Sequence, residues 1–507
     1  MRLWQEWFRC IQTLRPACAR LRTFGWMSLV LAGLSIRADL AGVSSFVRAL
    51  ELKGSCYRRL LYVCHTPGLR LEVLSASWVR LVLKLFTPLR LGGRVVMIGD
   101  GLKVGKEGKK MPAVKKLHQS SADNSKAPYI FGHSFQALGL LVCGPLGQLL
   151  CVPLISRIHE GVVFSNRDRR TLLDKFVELF VTVEEELERG ILLVVDAYYA
   201  SRTVLCPLLE VGHHILTRVR YNAVAYYPAP QSTPRRRGRP RVYGQKIRLR
   251  ELWQRHRGQF RTAPSPVYGE NRVVLRYYTL DLLWRPVGQL VRFVLVDHPC
   301  RGRLILMSTD RTLPPLELLA CYSYRFKIEV AFKQALHTLG TYAYHFWMRT
   351  MTPRSRRSGN QYLHRQSHDY RQQVRRKLEA YHRYVQLGCI AQGLLQYLAL
   401  SCRTEVWSSF RSWLRTMNPA LPPSEAVVAH ALRLELTRFR RRCWEREDRR
   451  FPNAINPSTI RTGIPATNYR AGTSWSQHQP AGARVRAVSQ CDPQMGQAGG
   501  ARRGSAQ

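Results

Sequence analysis

Residues 95–118 read VVMIGDGLKVGKEGKKMPAVKKLH and place one carboxylate among many cations. The apolar run that ends on Asp100 predicts a short buried strand with an acid at its tip. An unpaired carboxylate is unfavourable in such a place. The lysines that follow it are Lys103, Lys106, Lys109, Lys110, Lys115 and Lys116. The stretch therefore predicts either a plain turn after a strand or a site in which a bound cation neutralises Asp100.

The chain as a whole is strongly basic. Its 507 residues include 79 Lys and Arg against 33 Asp and Glu, a formal net charge of +46. Such an excess favours a polyanionic partner, and nucleic acid is the leading candidate. An anionic membrane surface is less favoured, because the sequence shows no basic amphipathic helix with an adjoining anchor.

Cysteine usage and apolar segments bear on the compartment. The 13 cysteines are scattered without a C-x-x-C pair, which predicts reduced thiols and argues against structural zinc. The segment FGWMSLVLAGLSI, residues 24–36, resembles a signal peptide but is too short to span a bilayer. We expect a core helix there, no membrane partner, and a cytoplasmic protein associated with the nucleoid.

The order of elements predicts an α/β fold with a mixed sheet flanked by helices. The N-terminal helices are interpreted either as a small DNA-binding domain or as a cap on the next domain. The predicted regions are a helical N-terminal region (1–90), the first part of the α/β core (91–220), a β-rich insertion with a basic loop (221–312), a helix that completes the core (313–350), a basic linker (351–372), a helical C-terminal region (373–450) and a disordered tail (451–507).

A second acid, Asp196, follows the apolar run ILLVV. Two carboxylates at strand ends of an α/β sheet invite a shared cation, since sites form at that edge. Oxygen ligands without nearby His or Cys favour Mg²⁺ or Mn²⁺ over zinc. The alternative is that Asp196 only caps the turn or helix that follows.

A third acid must come from elsewhere in the chain. Glu329 is favoured because Tyr322, Arg325 and Glu329 recur at three- and four-residue steps, which predicts one helical face. A surface ion pair is the alternative for Arg325 and Glu329. Three carboxylates can hold two divalent ions for displacement at phosphorus, with the lysines on flanking phosphates. The other candidates for the third acid are Glu160, Asp168, Asp174, Glu184, Glu185, Glu186, Glu188, Glu210 and Glu317.

With these motifs in this order, the chain resembles bacterial insertion-sequence transposases of the DDE type. It is similar to the branch with a Y-x2-R-x3-E signature, here Tyr322, Arg325 and Glu329. The first acid of the family matches Asp100 in IGDGLKVGKEGKKMP, and the second matches Asp196 in VVDAYYAS.

The resemblance implies an RNase H-like core that cleaves and joins DNA at the terminal inverted repeats of a mobile element. It implies two Mg²⁺ (or Mn²⁺) ions on Asp100, Asp196 and Glu329, and a homodimer acting on paired double-stranded ends. Tyr322 and Arg325 would contact phosphates. The branch usually carries a lysine seven residues after the glutamate, where Leu336 stands. Lys333 could substitute, this subgroup could do without the lysine, or this copy could be impaired.

Two weaker signals concern DNA contacts and the chain end. Residues 235–244, RRRGRPRVYG, contain a sequence that resembles an AT-hook core, with Arg237, Arg239 and Arg241, although a solvated basic loop is an equal alternative. The segment 451–507 could be a frameshifted or read-through tail. Two other functions stay open, a nuclease or resolvase that cuts without joining and a catalytically inactive DNA-binding derivative.

Overall fold

The computed structural model describes residues 2–40, 42–119, 127–187, 190–230, 241–410, 412 and 417–450, with side chains to residue 441. Arg237, Arg239 and the predicted tail at 451–507 therefore lie outside the described residues. The elements named below are those of the described ranges.

Helices occupy both ends of the described chain and several places between. The segment 24–36 lies in α2 and is largely buried, so the predicted core helix is confirmed. The helices are α1 (Arg2–Gln12), α2 (Leu21–Ile36), α3 (Ser44–Ala49), α4 (Cys56–His65), α5 (Leu71–Leu85), α6 (Leu172–Glu184), α7 (Arg202–Glu210), α8 (Leu252–Arg255), α9 (Pro315–Ser323), α10 (Phe326–Gln334), α11 (His368–Ser401), α12 (Arg403–Ser409) and α13 (Glu425–Arg450).

Strands fill the middle of the chain. The predicted alternation of strands and helices over 94–220, and the strands of the β-rich insertion, are confirmed. The strands are β1 (Thr87–Pro88), β2 (Arg90–Leu91), β3 (Arg94–Gly105), β4 (Lys115–His118), β5 (Tyr129–Cys143), β6 (Leu149–Ile158), β7 (Val162–Val163), β8 (Ile191–Val195), β9 (His214–Arg218), β10 (Val224–Pro228), β11 (Tyr243–Arg248), β12 (Arg261–Pro264), β13 (Val274–Trp284), β14 (Gln289–His298), β15 (Gly302–Ser308) and β16 (Gln361–Tyr362).

One large mixed sheet carries the candidate site. Its core runs β6-β5-β3-β8-β9, in which β3, β8 and β9 are parallel and β5 is antiparallel to both β3 and β6. Strand β8 is buried along its whole length, as expected for a strand covered by helices on both faces. The insertion continues the same sheet, because β15 pairs with β9 and β14, β13, β10 and β11 follow. The predicted α/β class with a mixed sheet is confirmed.

Side chains of two helices cover the edge strand β6. From α11, Gln386 Nε2 donates to the Leu154 carbonyl at 2.9 Å and Gln396 Nε2 donates to the Cys151 carbonyl at 3.2 Å. From α5, Trp78 Nε1 donates to the Pro153 carbonyl at 2.9 Å. An uncovered edge strand presents free backbone groups to other chains, so these bonds close the sheet on this side.

The N-terminal helices pack on the core, as the interpretation as a cap requires. They share one hydrophobic cluster with α11 and one face of the sheet. Buried Arg37, after α2, donates to the Leu339 carbonyl just beyond α10. Arg383 of α11 donates to the Leu69 carbonyl at 2.8 Å. Whether this cap also binds DNA stays a prediction that depends on its outer surface.

The segment predicted as a basic linker packs against the body. Strand β16 pairs with β7, and the side chains of Met351 and Leu363 are buried. Backbone bonds join Arg354 N to the Lys109 carbonyl and Lys116 N to the Ser358 carbonyl, both at 2.8 Å. A few apolar side chains and backbone pairing therefore hold the segment predicted as a basic linker, 351–372, and α11 already begins at His368.

Among the described helices, none is by itself long and apolar enough to cross a bilayer. Helices α11 and α12 pass such a test only as a pair, bent by 96°, on length and composition.

Candidate active site

Asp100 lies inside a strand, which corrects its predicted place at a strand tip. Strand β3 continues five residues further, to Gly105, because the long strand β5 keeps pairing with it. Asp100 faces Ala137, and Gly105 still faces Gly132. The alternative of a plain turn at Asp100 is therefore wrong. The sequence suggested a strand end because apolar residues stop at Ile98, whereas the backbone pairing does not.

Asp196 follows β8 directly and lies beside Asp100. Ile98 of β3 faces Val194 of β8 in parallel register, and each aspartate is two residues further along its own strand. Adjacent strands are about 4.8 Å apart, so the two carboxylates are close neighbours. One oxygen of Asp196, Oδ1, accepts a hydrogen bond from Tyr198 N at 2.8 Å. Asp196 thus caps the next turn, as the alternative interpretation held, while lying next to the first acid.

The third acid joins the first through an arginine. Arg325 Nη1 donates to Asp100 Oδ2 at 2.7 Å, and Arg325 Nη2 donates to Glu329 Oε1 at 2.6 Å. The pair with Glu329 is therefore more than a local surface ion pair, because the same guanidinium reaches a strand 225 residues earlier in the chain. Glu329 itself is half exposed, with 55% of its side chain accessible.

The signature residues do not share one continuous helix, which corrects the predicted helical face. Tyr322 lies in α9, Glu329 lies in α10, and Arg325 lies in the tight turn between them. The bond from Arg325 N to the Tyr322 carbonyl spans three residues, as in a 3₁₀ turn. The turn nevertheless keeps Tyr322 close to the acids. Burial raises the pKa of the Tyr322 hydroxyl, the positive charge of Arg325 lowers it, and the negative charge of Asp196 raises it.

Burial and crowding of acids perturb Asp100. Burial raises the pKa of the Asp100 carboxyl to about 6, and the negative charges of Asp196 and Glu329 add to the rise. Arg325 and the Gly101 N–H oppose it. Burial is the largest of these influences, so the pKa of Asp100 stays raised even though a guanidinium lies against the carboxylate.

The chemistry of the donors fits a hard divalent cation, although their present arrangement does not form a ligand set. No group of three Asp, Glu, His or Cys side chains within the described ranges is placed to hold a metal ion. The physical reason is that Arg325 takes one oxygen each of Asp100 and Glu329, while Asp196 accepts from a backbone N–H. Three carboxylates, of which Asp100 is half-buried, remain the oxygen-rich donors that Mg²⁺ and Mn²⁺ prefer.

The lysines near Asp100 differ in exposure. Lys103, Lys109 and Lys116 are exposed, and Lys110 is half-buried. Half-buried Lys115 pairs with Glu160 at 2.8 Å. This ion pair accounts for Glu160, which was one of the candidates for the third acid. Lys106 is buried and donates to the Tyr342 carbonyl, and burial lowers its pKa to about 7. The prediction that Lys106 meets phosphate is corrected, because its ammonium faces backbone carbonyls inside the protein.

The remaining predicted DNA contacts are at the surface. Lys333 is exposed on α10, four residues after Glu329. Leu336, where the lysine was expected, packs partly against the core in the π-helical turn that ends at Leu339. Arg241 is exposed, and its Nε donates to the Tyr243 carbonyl at 2.7 Å.

Two residues near the acids were not singled out from the sequence. Burial raises the pKa of Tyr199, and Asp100 and Asp196 raise it further, so its hydroxyl lies beside both acids. Arg218, at the end of β9, is close enough to lower the pKa of Tyr322. Their positions in the sequence could have indicated them. Tyr199 follows Asp196 by three residues, and Arg218 is the last residue of β9, which pairs with β8.

Glycines flank Asp100, and only one of them is required by packing. A Cβ on Gly99 would lie 2.5 Å from Phe176 Cζ and 3.2 Å from Val195 Cγ1, whereas a Cβ on Gly101 would meet nothing nearer than 3.7 Å. We expect Gly99→Ala to lower the free energy of unfolding by about 1–3 kcal/mol, because the buried Phe176 ring must move. Gly101→Ala, the matched control, should change it little. Denaturant unfolding measures both, and equal effects would contradict this account.

Comparison with protein families supports the same class of site. Residues 22–264 match the family described as DDE superfamily endonuclease. The matched segment contains Asp100 and Asp196 and ends before Glu329. It supports a DDE-type nuclease or transposase, and the large mixed sheet flanked by helices is consistent with an RNase H-like nuclease fold of that kind. A comparison with curated proteins found no match.

Proposed function

We propose that the protein is a DNA transposase that cleaves and joins DNA at the terminal inverted repeats of an insertion sequence. The observation that carries the proposal is the single guanidinium of Arg325 between Asp100 and Glu329, beside Asp196. Acids from three distant parts of the chain would then meet where β8 ends beside the middle of β3. A purely structural ion pair would not need the third carboxylate.

Asp100, Asp196 and Glu329 would hold the divalent ions, two Mg²⁺ or Mn²⁺, in the active complex. Such ions supply an activated water or 3′-hydroxyl and neutralise charge on the phosphoryl oxygens. The raised pKa of Asp100 supports this role, because a bound cation would favour its ionised form. Tyr199 would limit water beneath the acids, since its ring packs 4.4 Å from that of Phe176.

The cations around the acids would hold the substrate. Lys103, Lys109 and Lys116 are exposed on or beside β3 and β4 and would bind phosphates that flank the reacting one. Lys110 would join them, whereas Lys115 is already paired and Lys106 is left out. Arg218, Tyr322 and Lys333 would contact phosphate nearer the acids. Lys333 is then the proposed substitute for the lysine absent at Leu336.

Arg325 would have two positions. Without DNA it neutralises Asp100 and Glu329 directly. In the complex it would turn to a substrate phosphate, which is a bidentate partner that suits a guanidinium. The partners we propose are double-stranded DNA and a second copy of the chain in a homodimer on paired ends. The cytoplasmic, nucleoid-associated location stays a prediction.

Strand transfer distinguishes this function from cleavage alone. We expect a duplex carrying a pre-cut end, with a free 3′-hydroxyl, to become joined to a supercoiled plasmid when Mg²⁺ or Mn²⁺ is present. The end sequence is to be read from the genomic DNA that flanks the gene, where the proposal requires short inverted repeats. The same duplex with a 3′-deoxy end is the control and should give no joined product. Nicking of the plasmid without joining would instead favour a nuclease or resolvase.

A further inference from the structure

The N-terminal helices enclose a groove whose charged lining is entirely cationic among the described residues. It has a volume of about 780 Å³ and lies between the start of α2 and helix α4. Four arginines line it, together with two aromatic rings, two threonines and small residues near Gly68. The charged and aromatic residues of the lining are Arg20, Arg22, Trp26, Arg58, Arg59 and Tyr62.

The groove is distinguished by convergence of charge. In a chain with far more cations than acids, one unpaired arginine indicates little. Here two helices direct guanidinium groups into one concavity: Arg22 lies one turn from Trp26 on α2, and Arg58 lies one turn from Tyr62 on α4. All four arginines are exposed, so none is held inside by the fold. Such a concentration of positive charge between two walls attracts a polyanion.

The aromatic side chains indicate how an anion would be held. The Arg59 guanidinium lies 5.6 Å from the centre of the Trp26 ring, so the indole orients a cation. That face of Trp26 is therefore covered and not open for stacking of an unpaired base. Tyr62 is 61% exposed at the rim, where its hydroxyl can donate to a phosphate oxygen. The floor is closed by the bond from Ala19 N to the Gly68 carbonyl at 2.8 Å.

We infer that this groove binds the phosphodiester backbone of double-stranded DNA, at a place separate from the three acids. Guanidinium groups on opposite walls suit phosphates presented in rows, and arginine binds phosphate through two parallel hydrogen bonds. The inference rests on the proposed function for its DNA substrate only. It requires neither metal nor the carboxylates, so DNA binding through the groove can be tested without cleavage.

The test compares two double variants of the full chain that remove the same charge. Arg58→Gln with Arg59→Gln removes the positive charge from the α4 wall of the groove. Arg250→Gln with Arg255→Gln removes two exposed arginines of the insertion. Binding of a labelled duplex is titrated with salt in EDTA. We expect the groove variant to bind about tenfold more weakly and to lower the salt slope by about 2. Arg58→Lys with Arg59→Lys should keep the slope, because the charge stays.

Several results would overturn the inference. Equal losses in the groove and insertion variants would mean that only net charge matters, and an unchanged groove variant would exclude the site. A greater loss on a single-stranded probe than on the duplex would mean that the groove takes unpaired bases. A wild type that binds no duplex would contradict both the groove and the transposase proposal. A wild type that binds through the groove but neither cuts nor joins would contradict the transposase proposal alone. Thermal unfolding of each variant verifies folding.

Discussion

Asp100→Asn, Asp196→Asn and Glu329→Gln should each reduce DNA cleavage about a thousandfold or more. The amides keep the shape of the side chains but remove the negative charge that would hold divalent ions. Bound ions of this kind stabilise the transition state by several kcal/mol. Duplex binding in EDTA should not weaken, since the acids repel phosphate and neutralising one of them removes repulsion. Cleavage of an end-bearing duplex in Mg²⁺ or Mn²⁺, beside a binding titration, measures both.

The matched control is Glu317→Gln, which alters an exposed glutamate of α9 that sequence reasoning also weighed as the third acid. It should cleave like the wild type. Asp100→Asn also removes a partner of Arg325, so its thermal unfolding must be recorded to separate misfolding from lost chemistry. Retained cleavage in one variant would remove that residue from the site. Retained cleavage in all three would contradict the transposase proposal.

Arg325→Gln should bind Mn²⁺ about tenfold more tightly than the wild type when no DNA is present, while cleaving far more slowly. Arg325 competes with a metal for Asp100 Oδ2 and Glu329 Oε1, and charge-assisted bonds of this kind contribute about 1.5–3 kcal/mol. The loss of cleavage would follow from the missing phosphate contact. Calorimetric titration of the DNA-free protein measures the affinity.

The pH of this titration matters because Arg325 lowers the pKa of Asp100. Removing it raises that pKa above its value of about 6, so protons compete more strongly with the metal at low pH. The gain in affinity should therefore be clear at pH 8 and shrink at pH 6. Arg170→Gln is the control, since Arg170 joins Asp168 and Glu178 in the same way on the surface. Weaker Mn²⁺ binding by Arg325→Gln at pH 8 would contradict the competition.

Much of the architecture was predictable from local patterns. Strand β8 is recognisable because five apolar residues end on an acid. Helix α6 is recognisable because a stripe of large apolar side chains begins after a pair of residues that can cap a helix. The structure shows that pair as Thr171 and Asp174, with Asp174 N bonded to Thr171 Oγ1 and Asp174 Oδ2 bonded to Thr171 N. This explains Asp174 by capping and removes it from the candidates for the third acid.

Other features were not predictable because they depend on partners distant in sequence. Lys106 looks like its neighbouring lysines in the sequence, but the segment around Tyr342 folds over it and buries its ammonium. The break between α9 and α10 has no proline or glycine to announce it. The apparent linker contains few apolar residues, yet backbone pairing with β7 and backbone hydrogen bonds to Lys109 and Lys116 hold it in place.

The sequence by itself determined the α/β class, the basic character that calls for a polyanion, and the order of the acids along the chain. These depend on hydrophobic period, composition and strand-end chemistry, which are local. Only the tertiary structure decided that Arg325 bridges Asp100 and Glu329, that Asp100 lies within a paired strand, and which lysines face solvent. The reason is that pairing register, burial and charge neutralisation arise between segments that are tens to hundreds of residues apart, where a local pattern carries no information.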